Sequence, residues 1–177
     1  EMMNLPECHM PLMEMTRELA DKGNNYGLPG WCTAHNTDLW RFNRMATRYS
    51  MYGLWDMGGV WLARHIYDHY CYTRDLDFLK SYMDVLRGVY DFLNSRLVAN
   101  AEGYLILSPS TSPETTFLDG SAECSVTGSA AMDIQIIDDY LAYMLELEPL
   151  VGGDTARYQQ MRSKLLPQKL SAEGMLL

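Results

Sequence analysis

Asp75-Leu76-Asp77-Phe78-Leu79-Lys80-Ser81-Tyr82-Met83-Asp84-Val85-Leu86-Arg87-Gly88-Val89-Tyr90-Asp91-Phe92-Leu93-Asn94-Ser95-Arg96-Leu97 is the stretch that decides the fold class. Asp75 is a helix cap: its carboxylate accepts from the free N–H groups of the first turn. Behind it Phe78, Leu79, Tyr82, Val85, Leu86, Val89, Tyr90, Leu93 and Leu97 recur at helical spacing and fall on one face. A helix with so broad an apolar face has to bury it against other helices.

The flanking sequence has the same character. A helix is predicted over Met51 to Tyr72, with Gly58-Gly59 in its middle. Each glycine costs about 1 kcal/mol relative to alanine in a helix interior, so the pair implies a break or the close approach of another backbone or a ligand. Upstream, Asn4 caps a helix with Glu7 three residues on, and Leu12, Met15 and Leu19 carry its apolar stripe to Gly23. Downstream, extended segments either side of Glu102-Gly103 predict a small hairpin, its second arm being Tyr104-Leu105-Ile106-Leu107. A fourth helix is expected from about Ser129 to Glu148, with Ile137, Tyr140, Leu141 and Met144 inward, ended by Pro149 and Gly152-Gly153. Asp154 caps a fifth through Leu166. The fold class is therefore all-α: helices in antiparallel pairs, part of a helical toroid, with a small β-hairpin insertion. No repeat of fixed period supports a solenoid.

Composition narrows the function. A formal charge of −9 over 177 residues, with no basic stripe, argues against nucleic acid as a partner. No apolar run reaches membrane-spanning length. Cys8, Cys32, Cys71 and Cys124 are far apart and form no CxxC pair, which argues against a structural zinc site. The chain starts at Glu1 and stops on Gly174-Met175-Leu176-Leu177, so we expect residues 1–177 to be an interior piece of one larger domain.

Two connections carry the chemistry. Ser108-Pro109-Ser110-Thr111-Ser112-Pro113-Glu114 is stiffened by two prolines and by hydroxyls that bond to nearby backbone. It presents one acid, Glu114, beside Thr115, Thr116 and Phe117, as a general acid is presented to a leaving-group oxygen. The plainer reading makes Ser112-Pro113-Glu114 a helix start. Between Gly23 and Arg48 runs a connection too long for a mere link, dense in polar and aromatic side chains from Gly30 to Arg41.

In collinear order, Asn4-Leu5-Pro6-Glu7-Cys8-His9, Gly30-Trp31, His35-Asn36-Thr37-Asp38-Leu39-Trp40-Arg41, Gly53-Leu54-Trp55, Met57-Gly58-Gly59, the Ser108–Glu114 run and Met132-Asp133-Ile134-Gln135-Ile136-Ile137 resemble the inverting α-L-fucosidases of glycoside hydrolase family 95. The resemblance implies an incomplete (α/α)6 barrel and makes Glu114 the general acid. It implies water-positioning asparagines and an aspartate that fall outside these 177 residues, so the chain alone is expected to be inactive. The implied substrates are terminal α-1,2-linked L-fucosyl groups on galactosides, or L-galactosyl groups, and the other partner is the rest of the catalytic domain. A secreted or periplasmic location follows from the same likeness, and no cofactor is implied. The chain departs from the family at Ala34, where a second histidine is usual, in the basic segment 42–50, and at Asp56, where proline is common.

Trp55, Phe117 and Trp40 are candidates for an apolar wall that raises the pKa of Glu114. His35, Asn36 and Asp38 offer the directed donors and acceptors that sugar hydroxyls require, and Trp40, Trp55 and Trp61 offer faces for a pyranose. Against this, the tryptophans are core and Asp38 pairs with Arg41 or Arg44. His65 and His69 stand at metal-pair spacing, but Ile66 occupies the position where a metalloprotease motif has Glu, so they read as packing residues. Asp138, Asp139, Glu146 and Glu148 read as a solvated helix face. The competing functional class is a non-catalytic carbohydrate-binding toroid.

Overall fold

The computed structural model describes residues 6–23, 27–45 and 48–174. In chain order its elements are α1 (Pro6–Asp21), α2 (Ser50–Gly53), α3 (Gly58–Thr73), α4 (Leu76–Arg96), β1 (Leu97–Ala99), β2 (Leu105–Leu107), β3 (Phe117–Asp119), β4 (Ala122–Cys124), α5 (Ala131–Leu150) and α6 (Ala156–Ser163). Helices dominate, as expected, and two small antiparallel hairpins accompany them where one was predicted. The chain divides into two compact units. The first holds α1, the 27–45 connection, α3 and α4; the second holds α2, both hairpins, α5 and α6. The predicted cap at Asn4 lies outside the described residues.

In the first unit α4 forms as its pattern dictates. An Asp75 carboxylate oxygen accepts from the N–H groups of Asp77 and Phe78 at 3.0 and 2.9 Å. Leu79, Leu86, Val89, Phe92 and Leu93 are fully buried, as are Met13 and Leu19 of α1 and Ala63 and Ile66 of α3. Each large apolar side chain among them contributes about 1.5–3 kcal/mol on burial. Leu97 leaves the helix to open β1.

The helix predicted over 51–72 is two helices, separated at Leu54–Met57, and the reason is steric. A Cβ on Gly58 would stand 2.8 Å from the Ala34 carbonyl oxygen, and one on Gly59 would stand 3.1 Å from the Trp31 ring. The segment 31–34 therefore lies across the start of α3, and the Gly58 N–H donates to the Thr33 carbonyl at 3.1 Å. The glycine pair marks both a break and a close backbone approach.

In the second unit β1 and β2 pair with Leu97 opposite Leu107 and Ala99 opposite Leu105. The Asn100 side chain closes their turn by accepting from Glu102 and Tyr104 N–H at 3.0 and 2.9 Å. Beyond α6 the chain returns to β2, where Leu105 N–H donates to the Lys164 carbonyl at 2.7 Å. Helix α5 buries Ile134, Ile137, Tyr140, Leu141 and Met144, with Tyr158 and Met161 of α6 also in the core. Pro149 lies inside the last turn of α5 and does not end it; Gly152, at φ +74°, does. Glu148 is not on a solvated face. It is 1% exposed and accepts from the Tyr158 hydroxyl at 2.7 Å, and burial together with that bond raises the Tyr158 pKa.

Candidate active site

The Ser108–Glu114 loop leaves β2 and folds onto the start of α5. It is not a helix start: Pro113 and Glu114 form a turn closed by the Thr115 N–H donating to the Ser112 carbonyl at 2.8 Å. The Ser108–Pro109 and Pro113–Glu114 peptide bonds are cis. Its first half is anchored deeply. Ser110 and Thr127 exchange backbone hydrogen bonds in both directions, each 2.8 Å. The Thr111 hydroxyl donates to the Ser125 carbonyl at 2.6 Å, and Ser125 and Ser50 of α2 share a hydroxyl contact of 2.6 Å. Ser129 completes the frame: its N–H donates to the Leu107 carbonyl and its hydroxyl accepts from the Leu107 N–H, both at 2.7 Å.

At the centre of that frame is Asp133, in the first turn of α5 and fully buried. One of its carboxylate oxygens accepts from the Ser110 hydroxyl at 2.5 Å and the other from the Trp55 indole N–H at 3.0 Å. Buried carboxylates persist where their oxygens are hydrogen-bonded, and an acid near a helix N-terminus is further favoured by the helix dipole. Ser110 and Thr111 are buried, whereas Glu114, four residues on from Ser110, is exposed. Phe117 opens β3 and is 44% exposed. Trp55 is 5% exposed, so its ring is in the core and its N–H is spent on Asp133.

The first unit carries the other candidates on the 27–45 connection. Trp31 is its anchor: the indole N–H donates to the Val85 carbonyl at 2.9 Å and the main-chain N–H to Gly88 at 3.3 Å. Buried Asn43 staples the loop to itself, donating to the Cys32 carbonyl at 2.8 Å and accepting from the Ala34 N–H at 3.0 Å. Between these anchors His35 is half-buried and Asn36 and Asp38 are exposed. Asp38 caps a turn, one carboxylate oxygen accepting from the N–H groups of Trp40 and Phe42, each at 3.0 Å. Arg41, at φ +61°, pairs with Glu18 at 2.8 Å. Leu39 and Trp40 are 78% and 79% exposed. Trp61, on α3, is 54% exposed, so the tryptophans divide into two core and two surface residues.

Two polar clusters escape the sequence pattern. His65 and His69 of α3 meet His9 of α1: the His9 and His69 Nδ1 atoms are 3.3 Å apart, and His69 also packs on Phe78. Burial lowers the pKa of all three. Among the described residues no group of His, Cys, Asp and Glu is arranged to hold a metal ion. Asp56, the departure from the family's proline, is 4% exposed and bonds the Arg96 guanidinium at 2.8 Å. Burial raises its pKa, and Arg96 opposes that rise.

The model of the glycosyl hydrolase family 95 catalytic domain matches residues 1–177. This chain belongs to glycoside hydrolase family 95. A curated relative, alpha-L-fucosidase 2 of Arabidopsis thaliana, is 34% identical over 182 aligned positions that cover 97% of the chain. The chain spans about a fifth of that relative's length, 22%. Membership bears out the resemblance read from the collinear motifs, and the fold is the helical one it implied. No described helix is long and apolar enough to cross a membrane.

Asp133 is the residue that sequence reasoning left without a role. Its signal is its register: it precedes Ile137, Tyr140 and Met144 on the buried face of α5, where an acid is out of place unless something holds it.

Proposed function

We propose that the chain carries the acid half of an inverting α-L-fucosidase, with Glu114 as the proton donor. The protonated Glu114 carboxyl gives its proton to the glycosidic oxygen as the bond from that oxygen to the sugar's anomeric carbon breaks. A water enters from the opposite face and leaves the anomeric centre inverted. The groups that activate the water belong to sequence outside these residues. The substrate class is a terminal α-1,2-linked L-fucosyl group, or its L-galactosyl analogue, on a galactoside. His35, Asn36 and Asp38 hydrogen-bond sugar hydroxyls, Trp40 offers an exposed face, and Trp55 serves the site from within the core. The helices belong to an (α/α)6 barrel completed by further sequence, in a secreted or periplasmic protein.

The observation that supports this most is an exposed carboxylate carried on a loop whose root is buried and hydrogen-bonded to Asp133, Ser125 and Thr127. A proton donor has to reach the substrate yet stay in place, and general acid catalysis so arranged is worth about 10²–10⁴-fold. In the full-length protein, Glu114→Gln is expected to lower kcat by that factor on a fucosyl-galactoside, whose leaving group needs the proton. An aryl fucoside with an acidic phenol is expected to be nearly unaffected. Unchanged turnover of the galactoside would remove Glu114 from the mechanism, and sugar binding without any turnover in the wild type would favour the carbohydrate-binding reading. The 177 residues alone are expected to release no fucose.

A further inference from the structure

We infer that Asp133 is a positioning residue for the acid, holding the Ser108–Glu114 loop in its productive place through Ser110. The inference rests on the reading of Glu114 as proton donor and adds the group that aims it. One buried carboxylate ties together three separate stretches: the indole of Trp55 just after α2, the hydroxyl of Ser110 in the acid loop, and the first turn of α5. Both of its oxygens accept, one from each of these donors, so it is held from two sides and its alternatives are few. Only three residues separate Ser110 from Glu114, and Pro113 with the Ser112–Thr115 turn leaves little slack between them. A displacement at Ser110 is therefore passed on to the carboxyl of Glu114, and proton transfer to a departing oxygen is sensitive to displacements of about 1 Å.

Asp133→Asn separates positioning from folding. Asparagine keeps the shape and can still accept from the Trp55 N–H through Oδ1, but its Nδ2 can only donate, so the Ser110 hydroxyl must reverse from donor to acceptor and the charge-assisted bond that holds the loop is lost. The experiment uses the full-length protein and two substrates: a fucosyl-galactoside that requires the proton and an aryl fucoside that does not. With a near-wild-type melting temperature, Asp133→Asn is expected to lower kcat on the galactoside about 10–100-fold, the KM changing little and the aryl fucoside losing less than about 3-fold. Ser110→Ala, which removes the same contact from the loop side, is expected to show the same selectivity at least as strongly. Equal losses on both substrates, or no loss on either, would overturn the assignment. Glu114→Gln is measured in parallel. If it shows no leaving-group selectivity, the acid reading itself has failed; if it does and Asp133→Asn does not, only the positioning role has failed.

Discussion

The two long connections that carry the candidate residues are held in place by opposite means. The 27–45 connection of the first unit is fixed by lack of space: Gly30 and Gly58 press backbone against backbone, and Trp31 fills what remains. The 108–130 connection of the second unit is fixed by polar bonds: Ser110 to the Asp133 carboxylate, Thr111 to the Ser125 carbonyl, Ser125 to Ser50 and Ser129 to Leu107. A loop held by close contact is broken by adding a methyl group. A loop held by hydrogen bonds is broken by removing an acceptor, because the donors left behind are buried.

The largest effect is expected at Gly30. It sits at φ +73°, and a Cβ there would be 2.0 Å from the Gly88 carbonyl oxygen and 2.5 Å from the Phe92 nitrogen, both backbone atoms that cannot step aside. Gly30→Ala should cost more than about 3 kcal/mol, seen as a collapse in the urea midpoint or as failure to fold. Asp133→Ala comes next: it strands the Ser110 hydroxyl and the Trp55 N–H and should cost about 2–4 kcal/mol by denaturation. If Asp133→Ala were neutral and Gly30→Ala tolerated, the contrast between the two loops would be wrong.

The histidines sharpen the contrast through pH. His9, His65 and His69 have folded pKa values below the usual histidine value, burial being the largest cause in each. His65 and His69 add to the lowering at His9, as does Arg64 at His65, whereas Asp68 opposes it at both and Asp75 at His69. The unfolded chain then binds protons more readily than the folded one. The stability contributed by these groups is complete above about pH 6.5 and is lost as pH falls through the lower folded values. Melting temperatures taken between pH 7.5 and 5 should fall, and fall less in His9→Leu. The smallest effect is expected at Asp38, whose two N–H contacts lie in an exposed turn. Asp38→Ala should cost about 1 kcal/mol, and a much larger loss would mean that the turn anchors more than itself.

Periodic apolar sequence made α4 and α5 plain, because helical spacing and burial report the same thing. The Gly58-Gly59 pair announced the break before α3, and Glu102-Gly103 announced the first hairpin. The second hairpin was hidden. Its strands are three residues each and largely exposed, so they show no alternation, and the Gly120-Ser121 turn was their only mark. Contacts between distant residues were equally silent. Nothing local in His9 points to His69 sixty positions away, and nothing in Trp55 points to Asp133. The acid loop was legible as a rigid loop; what holds it was not, because a buried carboxylate in a helix looks like a surface one until the face is known.

The account rests on Glu114 giving up a proton. The most direct measurement is kcat/KM for a fucosyl-galactoside against pH in the full-length protein and in Glu114→Gln. The account predicts that the wild type loses activity on the alkaline side and that the variant, far slower, has no alkaline limb while its acid limb is kept. A variant that keeps the wild-type rate and the alkaline limb would contradict it.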